Sequence, residues 1–139
     1  MDSAAESTPN TTNRQVEGAA IAYVIRRETE DGRPAQDTRG RGAAADVVAG
    51  DRVIEVKAYG GSARGTELWL EPRQLEESRK NPDFWVYVVE NVRQGDPDRF
   101  TLLRLGGEVL EQLLVGAVER RYFTVPFPTR IYDELRGRS

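Results

Sequence analysis

From Arg14 to Glu30 the chain has no proline and no glycine after Gly18. Val16, Ala19, Ala20, Tyr23, Val24 and Arg27 recur at the spacing of one helical face, which predicts a helix over this stretch. Asp31-Gly32-Arg33-Pro34 stops it and turns the chain. Ala35 to Arg39 predicts a short edge strand, and Gly40-Arg41-Gly42 a loop. An apolar run, Ala44 to Ala49, is then separated from the alternating stretch Arg52-Val53-Ile54-Glu55-Val56-Lys57 by Gly50-Asp51 alone, which predicts a two-residue hairpin. On the second of these strands Ile54, Val56 and Ala58 share one face, and Glu55 and Lys57 share the other, about 7 Å apart along the chain.

After Lys57 the segment Tyr59 to Gly65 is too glycine-rich to be regular and predicts a mobile loop at the strand end. Thr66 to Leu70 predicts a strand, and Glu71-Pro72 opens a helix running to about Lys80, with proline near its first position. Asn81-Pro82-Asp83 ends that helix. Phe84 to Val89 is the most apolar run in the chain and predicts a central strand covered on both faces, its aromatic rings serving as core. Gln94-Gly95-Asp96-Pro97 reads as a turn, Phe100 to Leu105 as a strand, Gly107 to Val115 as a short helix and Arg120 to Val125 as a last strand or extended segment. Pro126-Phe127-Pro128 then breaks regular pairing.

Three regions follow from this pattern. Residues 1–13 hold too little apolar area to offset chain entropy and predict a flexible tail. Residues 14–125 form one domain of mixed α/β (α+β) class, with no internal repeat, and 139 residues suffice for one core. Residues 126–139 are a C-terminal extension whose Phe127, Ile131 and Tyr132 would be exposed unless they packed on the domain or on a second copy, so a homodimer strap is one expectation.

Composition narrows the chemistry. With no cysteine and no histidine, the chain lacks the parts for a thiol nucleophile, a Ser-His-Asp triad, a zinc site of the usual ligands or a histidine base. Catalysis would have to rest on carboxylates, lysine, hydroxyls or a hard cation. There is no phosphate-binding G-x-x-x-x-G-K-[ST] loop. No apolar run is long enough to span a bilayer, and the first residues lack the basic and apolar regions of a secretion signal, so the expected location is cytoplasmic, with no membrane partner. A net charge of -3 argues mildly against nucleic acid. Between Arg33 and Lys80, however, acids and bases nearly balance.

The hairpin register concentrates this chemistry. With Gly50 and Asp51 as the only loop residues, Ala49 pairs with Arg52 and Val48 with Val53, which sets Asp46 opposite Glu55. Directly opposed residues have Cβ atoms about 5 Å apart, and like charges there destabilise a sheet unless something positive lies between them. Lys57 compensates partly, and a divalent cation with oxygen ligands would do so more fully. The competing reading is an ordinary solvated hairpin face. Arg39 and Arg41, just upstream of Asp46, and Arg64 in the glycine-rich loop are placed to meet a phosphate backbone.

An acidic residue on one strand followed by E-x-K on the next resembles the pattern of the PD-(D/E)XK nuclease superfamily. The wider order is a helix with an early glutamate (Val16-Glu17-Gly18-Ala19-Ala20), Asp46, Ile54-Glu55-Val56-Lys57, and Leu68-Trp69-Leu70 leading into a helix with Gln74. That order resembles the NO VEIN C-terminal branch over roughly residues 14–125. The resemblance implies a restriction-endonuclease-like αβββαβ core with a mixed central sheet flanked by helices, and a Mg2+- or Mn2+-dependent endonuclease acting on DNA in defence, restriction or repair. In it Asp46, Glu55, Lys57 and Gln74 would be catalytic, and Glu17, Asp46 and Glu55 would hold the metal. Two departures stand out: Ala45 precedes Asp46 where proline is usual, and Gln74 stands where this branch often carries glutamate. Glu17 near a helix start is favoured by the helix dipole whatever its function. The alternative from another class is a nuclease-fold module that binds nucleic acid or a protein partner in a larger assembly without cutting.

Overall fold

Thr12 opens the first helix. Its hydroxyl accepts from the Gln15 N–H at 3.1 Å while the Gln15 amide oxygen accepts from the Thr12 N–H at 3.0 Å, a reciprocal cap that satisfies two otherwise orphaned donors. In the computed structural model, which describes residues 8–43 and 45–138, helix α1 spans Asn13–Glu30 and is followed by β1 (Ala35–Asp37), β2 (Val47–Ala49), β3 (Arg52–Ala58), α2 (Pro72–Lys80), β4 (Phe84–Glu90), β5 (Thr101–Leu105), α3 (Gly107–Val115) and α4 (Thr129–Gly137). The five strands lie in sequence order in one sheet. All neighbours are antiparallel except β3 and β4, which are parallel. A parallel pair needs a crossover, and α2 lies within it. The architecture is α+β, with a mixed sheet flanked by helices.

Gly50 takes φ +57, the left-handed conformation that a tight hairpin requires at its first loop position. The register is the one the sequence predicts, with Ala49 opposite Arg52 and Val48 opposite Val53. Alternation along β3 and β4 then fills two cores. On one face Val16, Ile21 and Val24 of α1 pack with Val47, Ile54, Val56, Tyr87 and Val89. On the other, Phe84, Val86 and Val88 pack with Leu110 of α3 and with Val53, Leu68, Leu70 and Leu105. β4 is therefore covered on both faces, as its apolar run predicts.

At the end of the sheet where β3 begins, a fully buried Glu28 closes the α1 side. It accepts from Arg33 Nε at 2.8 Å, Arg104 Nη2 at 2.9 Å and the Tyr87 hydroxyl at 2.8 Å. Burial alone would raise this carboxyl, but the bonds from Arg33, Tyr87 and Arg104 hold it at about 2. Arg52 donates to the same Tyr87 hydroxyl at 2.6 Å and lies 4.0 Å over the Trp85 ring. The helical spacing puts Arg27 on the buried face, but Arg27 is half-buried and the fully buried charge is its neighbour Glu28.

Several expectations are corrected. Residues 66–70 are not a strand: β3 already has β2 and β4 on its two edges, so Leu68 and Leu70 pack on the second core from an unpaired segment. Of the two forms expected for residues 120–125, the strand is absent and the segment is unpaired, and the C-terminal extension contains a helix, α4, where only a break in pairing is expected. The glycine-rich loop is fastened, because the Glu90 carboxylate accepts from the Ala63 N–H at 2.6 Å and the Asn91 and Arg93 N–H groups donate to Gly61 and Gly60. Ordered contacts begin before the expected tail boundary, since Asn10 donates from its N–H to Arg93 and from its side chain to Val92, each at 2.8 Å. Residues 1–7 of that tail, Ala44 and Ser139 lie outside the described residues. Among those described, no helix is long and apolar enough to cross a membrane.

Candidate active site

The geometry starts at the end of the short β2 ladder. Val47 is its last paired residue, opposite Ile54. One position earlier, the Asp46 N–H still donates to Ile54 O at 3.0 Å, and the Asp46 carboxylate accepts from the Val56 N–H, also at 3.0 Å. The carboxylate is thus tied to the backbone directly after Glu55, within hydrogen-bonding reach of the Glu55 carboxyl. Glu55 is 5% exposed. Lys57 reaches back along the same face of β3 and places Nζ 3.1 Å from Glu55 Oε2.

One ammonium faces two carboxylates. Burial first, and then the charge of Asp46, push Glu55 up to about 7 against the pull of Lys57. Asp46 is raised as well, by burial, although the Val56 N–H favours its ionised form. Glu55 Oε1 is buried and accepts no hydrogen bond from any of the described residues. What that oxygen lacks is either a proton shared with Asp46 or a cation. The donor set, carboxylate oxygens beside a lysine, suits a hard divalent ion and fits the group the resemblance implies.

The remaining predicted residues are less convergent. Glu17 lies past the first turn of α1, which carries no acid, and so does not take the first-turn position expected for it. Its side chain is 55% exposed and pairs with Arg39 Nη1 at 3.5 Å, although its charge still bears on Asp46. Among the described residues no three acids converge in a way that could hold a metal. Arg39 is also held by Asp37, at 2.8 Å. Arg41 and Arg64 are exposed. Gln74 spends its amide oxygen on the Glu71 N–H at 3.0 Å, starting α2, so its visible role is that of a helix cap.

Two supports escaped the sequence reading. Arg73 donates to the Gly42 carbonyl and so ties α2 to the loop that delivers Asp46. The Arg93 guanidinium packs on Gly60, where an added Cβ would stand 2.6 Å from its Nε. Both are contacts between distant parts of the chain, and neither leaves a local periodicity that could have announced it.

The family model described as Protein NO VEIN, C-terminal, matches residues 16–103. The chain belongs to the NO VEIN C-terminal family. The matched region of this NO VEIN C-terminal domain contains Glu17, Asp46, Glu55, Lys57 and Gln74 and ends within β5, so the resemblance drawn over 14–125 extends past the match at its C-terminal side. No curated protein and no solved structure matches the chain.

Proposed function

We propose that this NO VEIN C-terminal domain is a metal-dependent nuclease of the PD-(D/E)XK type that hydrolyses DNA phosphodiester bonds. The observation that carries this reading is the pairing of a half-buried Asp46 with a buried Glu55, short of positive charge, with one Glu55 oxygen lacking a donor among the described residues and Lys57 at 3.1 Å. Asp46 and Glu55 would hold Mg2+ or Mn2+, which when bound supplies charge neutralisation at the scissile phosphate and a water of lowered pKa. Lys57 orients the attacking water and balances the negative charge that develops on the phosphoryl oxygens. Water oxygen bonds to phosphorus, one P–O ester bond breaks, and the departing oxygen takes up a proton. Arg41 and Arg64, exposed on the flanking loops, would contact neighbouring phosphates.

One observation favours a second reading. Glu17 turns to Arg39 and, among the described residues, no third acid joins the pair, an arrangement that also suits a module binding DNA or a protein partner in a defence or repair assembly without turnover. Purified protein incubated with plasmid and linear DNA and with Mg2+ or Mn2+, beside Glu55→Ala and Lys57→Ala, separates the two. Cleavage by the parent that both substitutions abolish supports the nuclease. Salt-sensitive DNA binding with no product at any metal concentration rejects it in favour of the module.

A further inference from the structure

Two acids hold Arg39, in unequal ways. Its Nε lies 3.1 Å from Asp37 Oδ1 and its Nη2 2.8 Å from Asp37 Oδ2, while the Arg39 N–H donates to Oδ1 at 3.0 Å. A two-pronged bond of this kind fixes the plane of the guanidinium. The remaining nitrogen, Nη1, reaches Glu17 Oε1 only at 3.5 Å, well beyond the ~2.8 Å of a full charge-assisted bond. Glu17 and Arg39 are both exposed, and an exposed ion pair shifts an equilibrium by about fivefold at most. Arg39 thus presents a preset and weakly engaged donor. It does so beside the candidate site, because its neighbour Thr38 donates from its N–H to the Asp46 carbonyl at 2.8 Å. Glu17, from α1, is near enough for its charge to raise the Asp46 carboxyl, and a glutamate has three side-chain torsions with which to redirect its carboxylate.

We propose that Arg39 is a positioning residue that keeps Glu17 in reserve: a backbone phosphate that takes over Nη1 releases Glu17 to join Asp46 and Glu55 as a third carboxylate, so that DNA and a divalent ion bind cooperatively. The inference rests on the nuclease reading and concerns the regulation of that same site. A phosphate oxygen is the better partner for Nη1, since it is free to approach to full bonding distance while Asp37 keeps its grip on Nε and Nη2. Released, Glu17 brings oxygen donors to a pair in which Glu55 Oε1 is unpartnered among the described residues, and hard cations favour several oxygen ligands. Among the described residues no three acids converge without DNA, which is the state expected while Arg39 retains Glu17. The coupling is reciprocal: by whatever factor DNA tightens the ion, the ion tightens DNA.

The test reads binding, apart from cleavage. Isothermal titration of the DNA-free protein with Mg2+ should give a Kd about fivefold lower for Arg39→Gln than for the parent, because Glu17 is then free. In the Glu17→Gln background, where only the lost charge can act, the same substitution should change Kd by less than about twofold. No tightening in the parent background, or equal tightening in both, would overturn the proposal. The second measurement is the anisotropy of a labelled DNA duplex in the Lys57→Ala background, where the proposed chemistry is stopped, at constant ionic strength with and without Mg2+. Mg2+ should tighten DNA binding about fivefold more in Lys57→Ala than in Lys57→Ala/Arg39→Gln or Lys57→Ala/Glu17→Gln. The same Mg2+ dependence in all three proteins overturns the proposal as well. A parent that binds no Mg2+, with or without DNA, sinks the nuclease reading and this inference together, whereas Mg2+ binding and DNA cleavage without the Glu17-dependent difference sink this inference alone.

Discussion

Lys57 Nζ stands 3.1 Å from Glu55 Oε2, yet this contact does not neutralise the site, because Asp46 acts on the same carboxyl and holds it up to about 7. Between its ordinary value of 4.5 and about 7, Glu55 keeps a proton in the folded protein that the unfolded chain has released. Its contribution is therefore lost as pH rises through that window. Cation binding needs the ionised form, so the gain in Tm on adding Mg2+ should grow steadily from pH 5.5 to pH 8 and vanish in Asp46→Asn. Thermal scans with and without Mg2+ measure this. A shift of equal size at both pH values would show that the ion binds elsewhere.

Glu55→Gln should separate stability from activity. In metal-free protein at pH 8 the amide removes a buried like charge and donates toward Asp46, so stability should rise by roughly 1–3 kcal/mol, the scale of one to two pKa units. DNA cleavage should disappear in the same variant. Urea unfolding beside a plasmid assay checks both. A destabilised Glu55→Gln would mean that the carboxylate is already well compensated.

The hairpin was legible because it is local. Gly50-Asp51 and the alternation after it determine which residues oppose each other, and the observed Val48–Val53 pairing follows. β4 was legible from its apolar run, and α2 and α3 from proline and glycine punctuation. What the sequence concealed depends on distant partners. Glu28 reads as one more acid near a helix end until Arg33, Arg104 and Tyr87 converge on it. Thr66 to Leu70 has strand propensity, but both edges of β3 are taken by β2 and β4, and Leu68 and Leu70 pack on the second core instead. Gln74 lies on α2 as expected, but the capping bond it makes is decided by local helix geometry and competes with any role at the carboxylates.

Gly106 shows how tightly the surroundings of the Trp85 ring are packed. A Cβ there would run into the Trp85 ring, whose face is already covered by Arg52. Gly106→Ala should cost about 1–3 kcal/mol through overpacking. Gly61→Ala, with open space around it, should stay within about 0.5 kcal/mol of the parent. Chemical denaturation of the two variants side by side provides the comparison, and equal midpoints would mean that the Trp85 ring yields freely.

Glu28 and Glu55 impose opposite pH dependences on one fold. The Glu28 carboxyl is held at about 2 against an ordinary 4.5, so it contributes stability that is present above pH 4.5 and lost as pH falls toward 2. A difference of this size corresponds to roughly 3 kcal/mol. Since Glu55 withdraws stability as pH rises from 4.5 toward 7, the metal-free protein should be most stable near pH 4–5 and should lose that maximum when Mg2+ offsets the neutral limb. Glu28→Gln should flatten the acid limb and leave the neutral one intact. Glu28→Ala should cost about 3–5 kcal/mol at neutral pH, because Arg33 and Arg104 lose a buried partner. Urea midpoints from pH 2.5 to 8 resolve the two limbs, and an acid limb that persists in Glu28→Gln would assign it to other carboxylates.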